Sequence, residues 1–444
     1  MRRIATAFAI VMMLASGCSS GTPAPAAPAA APTKPQVRAA GQDLEFVGVE
    51  NASSVVWSPS GHRAVVQSDT GGYLLDVAAR SLTALPAFTP AEPPTFWSES
   101  EVVWLQDGRL QLRDLVSGQT RMLNDFGESV THFLRPGDTH YVVTRPNRAV
   151  EQGHPFGKIV AGALNSKDET VVIDTGYLVG RMADGNLLAV EGPHPRGPLW
   201  SIAPSGEKQL VSQTPVSFVQ IAPDGLHALW LTGDSGKPPA QQDADYAFDP
   251  PLTDLWTWDR THPPVRIPLG GAFSARAGFA PDGSRIALAL NQGFANTDTT
   301  GKPGTLAVAE GGKVRHLATF AGRVRRGMWF GSTAFQFNDP NRDVTGGSSP
   351  ITLLNRTGKQ EDVSAGQWYY AQRDQLIPDT VAWAQLIMHW RDDGTTVQWA
   401  DSDQTAHINF NPNDHLGNLL YVPPKAPYLP IAGPDRLWLK WLTY

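Results

Sequence analysis

Cysteine is nearly missing from this chain of 444 residues, where Cys18 stands alone. No disulfide can form within the chain, so its fold must be held by packing alone. Long apolar runs are scarce as well. After the stretch from Ile4 to Leu14, no segment is long enough and free enough of charge to span a bilayer as a helix. Sustained helical periodicity is also absent beyond that stretch, which predicts little helix. There is no basic excess: 36 Lys and Arg against 42 Asp and Glu give a net charge of −6. That balance argues against nucleic acid or an anionic lipid surface as the main partner. Three catalytic signatures are missing too, namely a G-x-S-x-G elbow, an H-E-x-x-H helix and a phosphate-cradling glycine loop. The 11 histidines are scattered, and the nearest groups, His132 with His140 and His407 with His415, lack the short spacing of a preformed metal site. No cofactor and no metal are expected.

What is present begins at the N-terminus. Arg2 and Arg3 precede the apolar core Ile4 to Leu14, and small residues lead to Cys18 in the run Leu14-Ala15-Ser16-Gly17-Cys18. A basic start, a short apolar core and small residues make a secretory signal. The run resembles the lipobox of bacterial lipoproteins. That resemblance implies removal of residues 1–17, a diacylglyceryl group on the Cys18 thiol, and attachment to the lipid bilayer outside the cytoplasm. More than one acyl chain is needed for stable anchoring, since each buried methylene contributes about 0.8 kcal/mol. Under the family's sorting rule, Ser19 implies the outer membrane if the organism has one. From Ser19 to Pro35 the chain is Ser, Gly, Thr, Pro and Ala with almost no large apolar side chain, the composition of an extended linker. The expected division is signal peptide 1–17, lipidated cysteine and linker 18–43, and folded domain 44–444.

Within the folded domain a short phrase recurs: an apolar residue, then Pro-Asp-Gly or a relic of it, then alternating apolar residues. Ala222-Pro223-Asp224-Gly225 precedes His227 to Leu231, and Ala280-Pro281-Asp282-Gly283 precedes Arg285 to Leu290. Weaker copies begin at Trp57, Trp97, Leu134, Met182, Phe330 and Ile377. Trp97 lies 40 positions after Trp57, and Asp224 lies 40 after Asp184, a spacing in the range of a four-stranded propeller blade. Short alternating strands between Gly, Pro, Asp and Asn turns are what antiparallel hairpins require. The phrase and period resemble those of TolB-like and WD-repeat-like β-propellers over roughly residues 44 to 410. The expectation is an all-β fold: a single, monomeric β-propeller of seven or eight four-stranded blades. Phe46-Val47-Gly48-Val49 and the alternating Arg436 to Leu442 are the strands expected to close it.

The resemblance is specific for fold and poor for function. Gly233-Asp234-Ser235-Gly236 looks like the nucleophile loop of trypsin-like proteases, but it follows a repeat strand, where it reads as a turn. The first candidate binding loop is the insertion after that turn, with Asp243, Asp245, Tyr246, Phe248, Asp249 and Asp254. Long excursions from a rigid scaffold are where binding residues gather. The acids match no EF-hand spacing. A companion insertion, Asn291 to Gly304, leaves the next repeat at the matching position. The leading reading is a membrane-anchored, non-catalytic scaffold for an envelope protein or cell-wall glycan. The alternative is a propeller enzyme with a central-funnel site, either a glycan hydrolase or lyase or a quinone-dependent dehydrogenase.

Overall fold

The computed structural model describes residues 35–444 except 86–87, 89–93, 129, 147–155, 193–195, 234–251, 281–282, 293–302, 321–326, 331–333, 339–350, 356–359, 363–367, 372–385, 392–393, 400–403, 409–417, 421 and 424. Every regular element among the described residues is a β-strand, and every pairing is antiparallel to its neighbour. Strands Ser54–Trp57, Arg63–Ser68, Gly71–Asp76 and Ser81–Leu85 form the first four-stranded unit, in chain order from inner to outer. Thr95–Phe96, Glu101–Gln106, Arg109–Asp114 and Thr120–Asp125 form the second. Three long strands, Glu169–Arg181, Lys208–Ile221 and Val265–Phe279, each serve two units. The first half is the outer strand of one unit, and the second half is the inner strand of the next. The third to sixth units are linked in this way, and two more follow over Gly327–Asp362 and Trp368–Ile408.

The second strand of each unit explains how the units assemble. Ala228–Thr232 and Ile286–Asn291 are buried along their whole length, as expected of strands covered on both faces. Because side chains alternate across a strand, one strand feeds two cores. Leu188 and Val190 pack toward the fifth unit, whereas Leu187 and Ala189 pack toward the third. Ala228 and Trp230 face back to the fourth unit, and Leu229 and Leu231 face on to the sixth. Val102 and Trp104 join the first unit's Val65, while Val103 and Leu105 join the third unit's Tyr141 and Val143. A final cluster joins Trp399 and Ile408 of the eighth unit to Val55 and Tyr73 of the first through Leu437 and Leu439. From the first unit to the sixth, successive sheets therefore pack face to face, and the closing sheet joins the eighth unit to the first. The fold is a β-propeller.

Closure uses both ends of the folded chain. Asn418–Leu419, Tyr428–Ala432 and Arg436–Trp441 form three strands, and Asp43–Val47 adds the fourth beside Arg436–Trp441. The expected closing pair is thus formed. This sheet comes in addition to the eight units whose starts the repeat phrase marks, because its strands carry no copy of the phrase. Gln36–Ala40 lies outside Asp43–Val47 as a fifth strand, exposed throughout, and extends the fold ahead of residue 44.

Two local devices recur around the ring. On four outer strands the register skips one residue: Leu123, Val172, Val211 and Leu317. Each skip is a β-bulge that bends the edge strand. The skipped side chain joins the neighbouring core, while the residue before it in the first three of these strands, Met122, Val171 or Leu210, is exposed. The second device is at the turns of the repeat phrase, where acids and glycines tie adjacent units. Glu99 accepts bonds from the Ser60 amide (2.8 Å) and hydroxyl (2.7 Å). Asp138 accepts two bonds from Arg181 of the next unit, and Asp184 pairs with Arg260. Gly283, at φ +69°, lies so close to the fifth unit's turn that a Cβ would stand 2.8 Å from Asp224 Oδ2.

Core burial predicts that Leu229→Ala lowers stability by about 2–5 kcal/mol, whereas Met122→Ala stays within about 0.5 kcal/mol, read from urea denaturation. Gly283→Ala has both strain and a close contact to relieve, so it should cost at least about 1 kcal/mol in the same assay.

Candidate binding end

Strand direction gives the ring two different ends. Connections from first to second strand, and from third to fourth, gather at one end with the Pro-Asp-Gly turns. Connections from second to third strand, and the crossings between units, gather at the other. Residues 147–155, 234–251, 293–302 and 339–350 are all second-to-third-strand connections. The two insertions singled out in the sequence therefore root at one end, on adjacent units. Cys18, Asp243, Asp245, Tyr246, Phe248 and Asp249 lie outside the described residues, as do 293–302 of the companion insertion.

Asp254 is described, and its surroundings define the root of the first insertion. It is the third residue of the third strand of the fifth unit, Leu252–Trp258, opposite Thr232. Arg266, on the adjacent outer strand, donates to it twice, Nε to Oδ1 at 2.9 Å and Nη2 to Oδ2 at 3.1 Å. The Thr253 hydroxyl adds a bond at 3.0 Å. The carboxylate is only 12% exposed although the arginine is 59% exposed. A two-pronged pair of this kind fixes geometry as well as charge, and the bonds from Asp254 hold the Arg266 pKa above its ordinary value. Behind the pair, Trp256 Nε1 donates to the buried Thr232 hydroxyl at 3.0 Å, and its ring stacks 6.2 Å from that of buried Trp230. Asp254 thus holds the base of the insertion in place. The sequence groups it with the other acids of the loop because Arg266 lies 12 positions away, on a different strand of the hairpin.

A second rigid root lies in the third unit. Arg145, just before connection 147–155, donates to Glu128 at 3.1 Å, to Glu169 through Nε at 3.0 Å, and to the Phe126 carbonyl at 2.6 Å. Tyr141 shares Glu169 at 2.8 Å, and burial with that bond raises its pKa to about 12. No scan of the sequence isolates these five residues, since the network spans two units.

The inner strands border the funnel. Among those of the described residues, the ionisable side chains other than tyrosine phenols are His132, Arg181 and Arg276. Arg181 is engaged by Asp138 and by the Phe133 carbonyl. His132 sits with its Nδ1 buried and unpartnered among the described residues, and burial takes its pKa down to about 4. Among the described residues no group of three or more His, Cys, Asp or Glu is placed to hold a metal ion.

No protein-family model and no curated protein matches the chain. Among solved structures it is similar to an oligogalacturonate lyase in complex with manganese, at 13% identity and a TM-score of 0.38, covering 93% of this chain and 96% of that one. It is also similar to TolB from Acinetobacter baumannii, at 12% and 0.31, covering 91% and 96%. The C-terminal WD40 domain of Sif2 matches at 11% and 0.36, covering 89% and 97%. Likeness at this level says nothing about activity.

Two outcomes are expected. Asp254→Asn and Arg266→Gln each lower the melting temperature, and the double variant lowers it by less than their sum, because the second change removes an interaction already lost. His132 stays neutral in the fold below pH 6.5, where the unfolded chain takes up a proton. Stability should therefore fall as pH drops from 6.5 toward 4, with a slope approaching about 1.4 kcal/mol per pH unit from this group. His132→Gln should remove that share of the slope, and unchanged urea midpoints across this range would contradict it.

Proposed function

We propose that this is an extracytoplasmic lipoprotein, anchored through an acylated Cys18, whose propeller binds a protein or glycan of the cell envelope at its connection end without catalysing a reaction. The observation that carries the reading is the use of the acids. Hydrolysis of a glycan needs two carboxylates facing each other about 5–10 Å apart across the scissile bond. Here the described inner strands carry no carboxylate: their ionisable side chains are two arginines, a histidine and tyrosines. The acids of the repeat turns are committed instead to a neighbouring unit or to their own turn: Glu99 to Ser60, Asp138 to Arg181, Asp184 to Arg260 and Asp224 to His227. Asp254 and Glu169 are likewise tied to arginines. What the ring offers is a rigid end with braced roots from which long connections leave, which is the arrangement of a binding scaffold.

Two tests address the two halves of this reading. Cys18→Ser should move the full-length protein from the membrane fraction to the soluble fraction, and retention in the membrane would contradict the anchor. Residues 36–444, immobilised and exposed to a solubilised envelope extract, should retain one component reproducibly. Deletion of residues 241–251 should abolish that retention while leaving the melting temperature within a few degrees. Turnover on a glycan panel, or cofactor absorbance in the purified protein, would favour the enzyme instead.

A further inference from the structure

Three consecutive inner strands, those of the fourth, fifth and sixth units, carry Tyr177, Phe218 and Arg276 at one level. Tyr177 pairs with Val190, Phe218 with Leu231 and Arg276 with Ala289, and each partner is the fourth residue of its second strand. All three stand in the half of the inner strand nearer the connection end. Tyr177 and Phe218 are partly buried, each packed against the core shared with the next unit, and Tyr177 also meets Phe156 edge to face at 4.9 Å. Arg276 is exposed. The inner strands of the first three units bring hydroxyls instead, on Ser54, Thr95 and Thr131. Two residues beyond Arg276, Gly278 interrupts its strand in unbroken register with Ala287. Glycine weakens a strand interior, where it marks a bulge, a bend or the close approach of another group. Gly278 has neither a bulge nor left-handed backbone, and a Cβ there would meet, among the described residues, only Gln220 Oε1 at 3.9 Å. Gly176 and Gly180 in the fourth unit differ, since a Cβ would stand 2.4 Å from the Val190 carbonyl oxygen and 3.0 Å from Ile221 Cδ1. Close packing accounts for those two. At Gly278 there is room beside Arg276.

From this arrangement, and resting on the binding role proposed above, we infer that the funnel mouth along the fourth to sixth units takes an oligosaccharide bearing carboxylates. Neighbouring sheets pack about 10 Å apart, so the arc from Tyr177 to Arg276 spans about 20 Å. That is too wide for a single small molecule and suits a chain of sugar rings. Because the three residues stand on strands and not on connections, a slender chain reaches them where a flat protein surface would not. Aromatic rings present electron-rich faces to the C–H faces of sugars, and the Ser and Thr hydroxyls donate and accept as sugar hydroxyls do. A guanidinium holds a carboxylate through two parallel bonds. The sign of the charge follows from the lining: the described inner strands carry no carboxylate, and of their two arginines Arg181 is held by Asp138 while Arg276 is the exposed one. Charges of both signs are exposed elsewhere at this end, Glu50, Asp69, Asp107 and Asp174 with Lys158 and Arg266, and these stand on connections, crossings or the third and fourth strands. An anion that passes this mixed rim meets Arg276 with no opposing carboxylate on the described inner strands.

The probes are the tetrasaccharide of cellouronic acid and cellotetraose, which share one backbone and differ only in carrying a carboxylate or a hydroxymethyl group on each ring. Calorimetric titration of the full chain in mild detergent should show saturable binding of the cellouronate, about tenfold tighter than that of cellotetraose. Arg276→Gln should weaken cellouronate binding about tenfold and leave cellotetraose unchanged, and Arg276→Lys should restore only part of the loss. Phe218→Leu keeps an apolar side chain against the sixth unit but removes the ring face, so it should weaken both glycans by the same factor. Gly278→Leu should weaken both by filling the space beside the arginine. Melting temperatures within a few degrees of the wild type separate these effects from unfolding. No saturable binding of cellouronate at millimolar concentration, equal affinity for the two glycans, or cellouronate binding unchanged in Arg276→Gln overturns the inference. A component retained from the envelope extract equally by the wild type and by Arg276→Gln would remove this site and leave the binding scaffold standing.

Discussion

Glu45 and Arg436, 391 positions apart, meet at 2.8 Å where the strand Asp43–Val47 hydrogen-bonds along Arg436–Trp441. Asp43 accepts from the Lys440 ammonium and from the Trp441 amide beside it. Among the described residues, sheets such as those of the second, fourth and fifth units send apolar side chains to both faces, so each of these needs a neighbour on either side. In a linear stack the first and last sheets would expose Phe46, Val55, Leu437 and Trp399 and leave strand edges open to other chains. Pairing the two ends removes both problems at once and converts a row of sheets into a ring. With no disulfide available within the chain, that pairing and the packed faces hold the fold.

The closed ring assigns separate duties to its ends. At the turn end, the acids of the repeat phrase hold the next unit, and the tight backbone at Gly225 and Gly283 lets adjacent turns touch. Side chains so committed are poorly placed to act on a ligand. Four long connections leave the connection end, while 372–385 joins the first and second strands of the eighth unit at the other; Asp254 with Arg266 and Arg145 with Glu128 and Glu169 brace two of the points from which the former leave.

Much of the architecture is legible in the sequence. The recurring turn and its spacing mark seven or eight units, and runs such as Ala228-Leu229-Trp230-Leu231 announce strands buried on both sides. The closing strands are readable from their alternation. The bulges at Leu123, Val172, Val211 and Leu317 are not, because a bulge places two successive residues out of alternation and resembles a weak strand end. Nor are the partners of the turn acids, since Asp138 and Arg181 lie 43 positions apart and nothing local links them. The same holds for Asp254, which reads as one acid of a cluster until the hairpin brings Arg266 beside it.

The period and the strand pattern are properties of the linear chain, and with them comes an all-β repeat fold. Each is set by neighbours within a few residues of one another. Folding in three dimensions settles the rest: which acids are spent on holding units together, and which end of the ring gathers the long connections. Those depend on strand register and on contacts between sheets, quantities fixed by how distant segments pack and carried by no local stretch of residues.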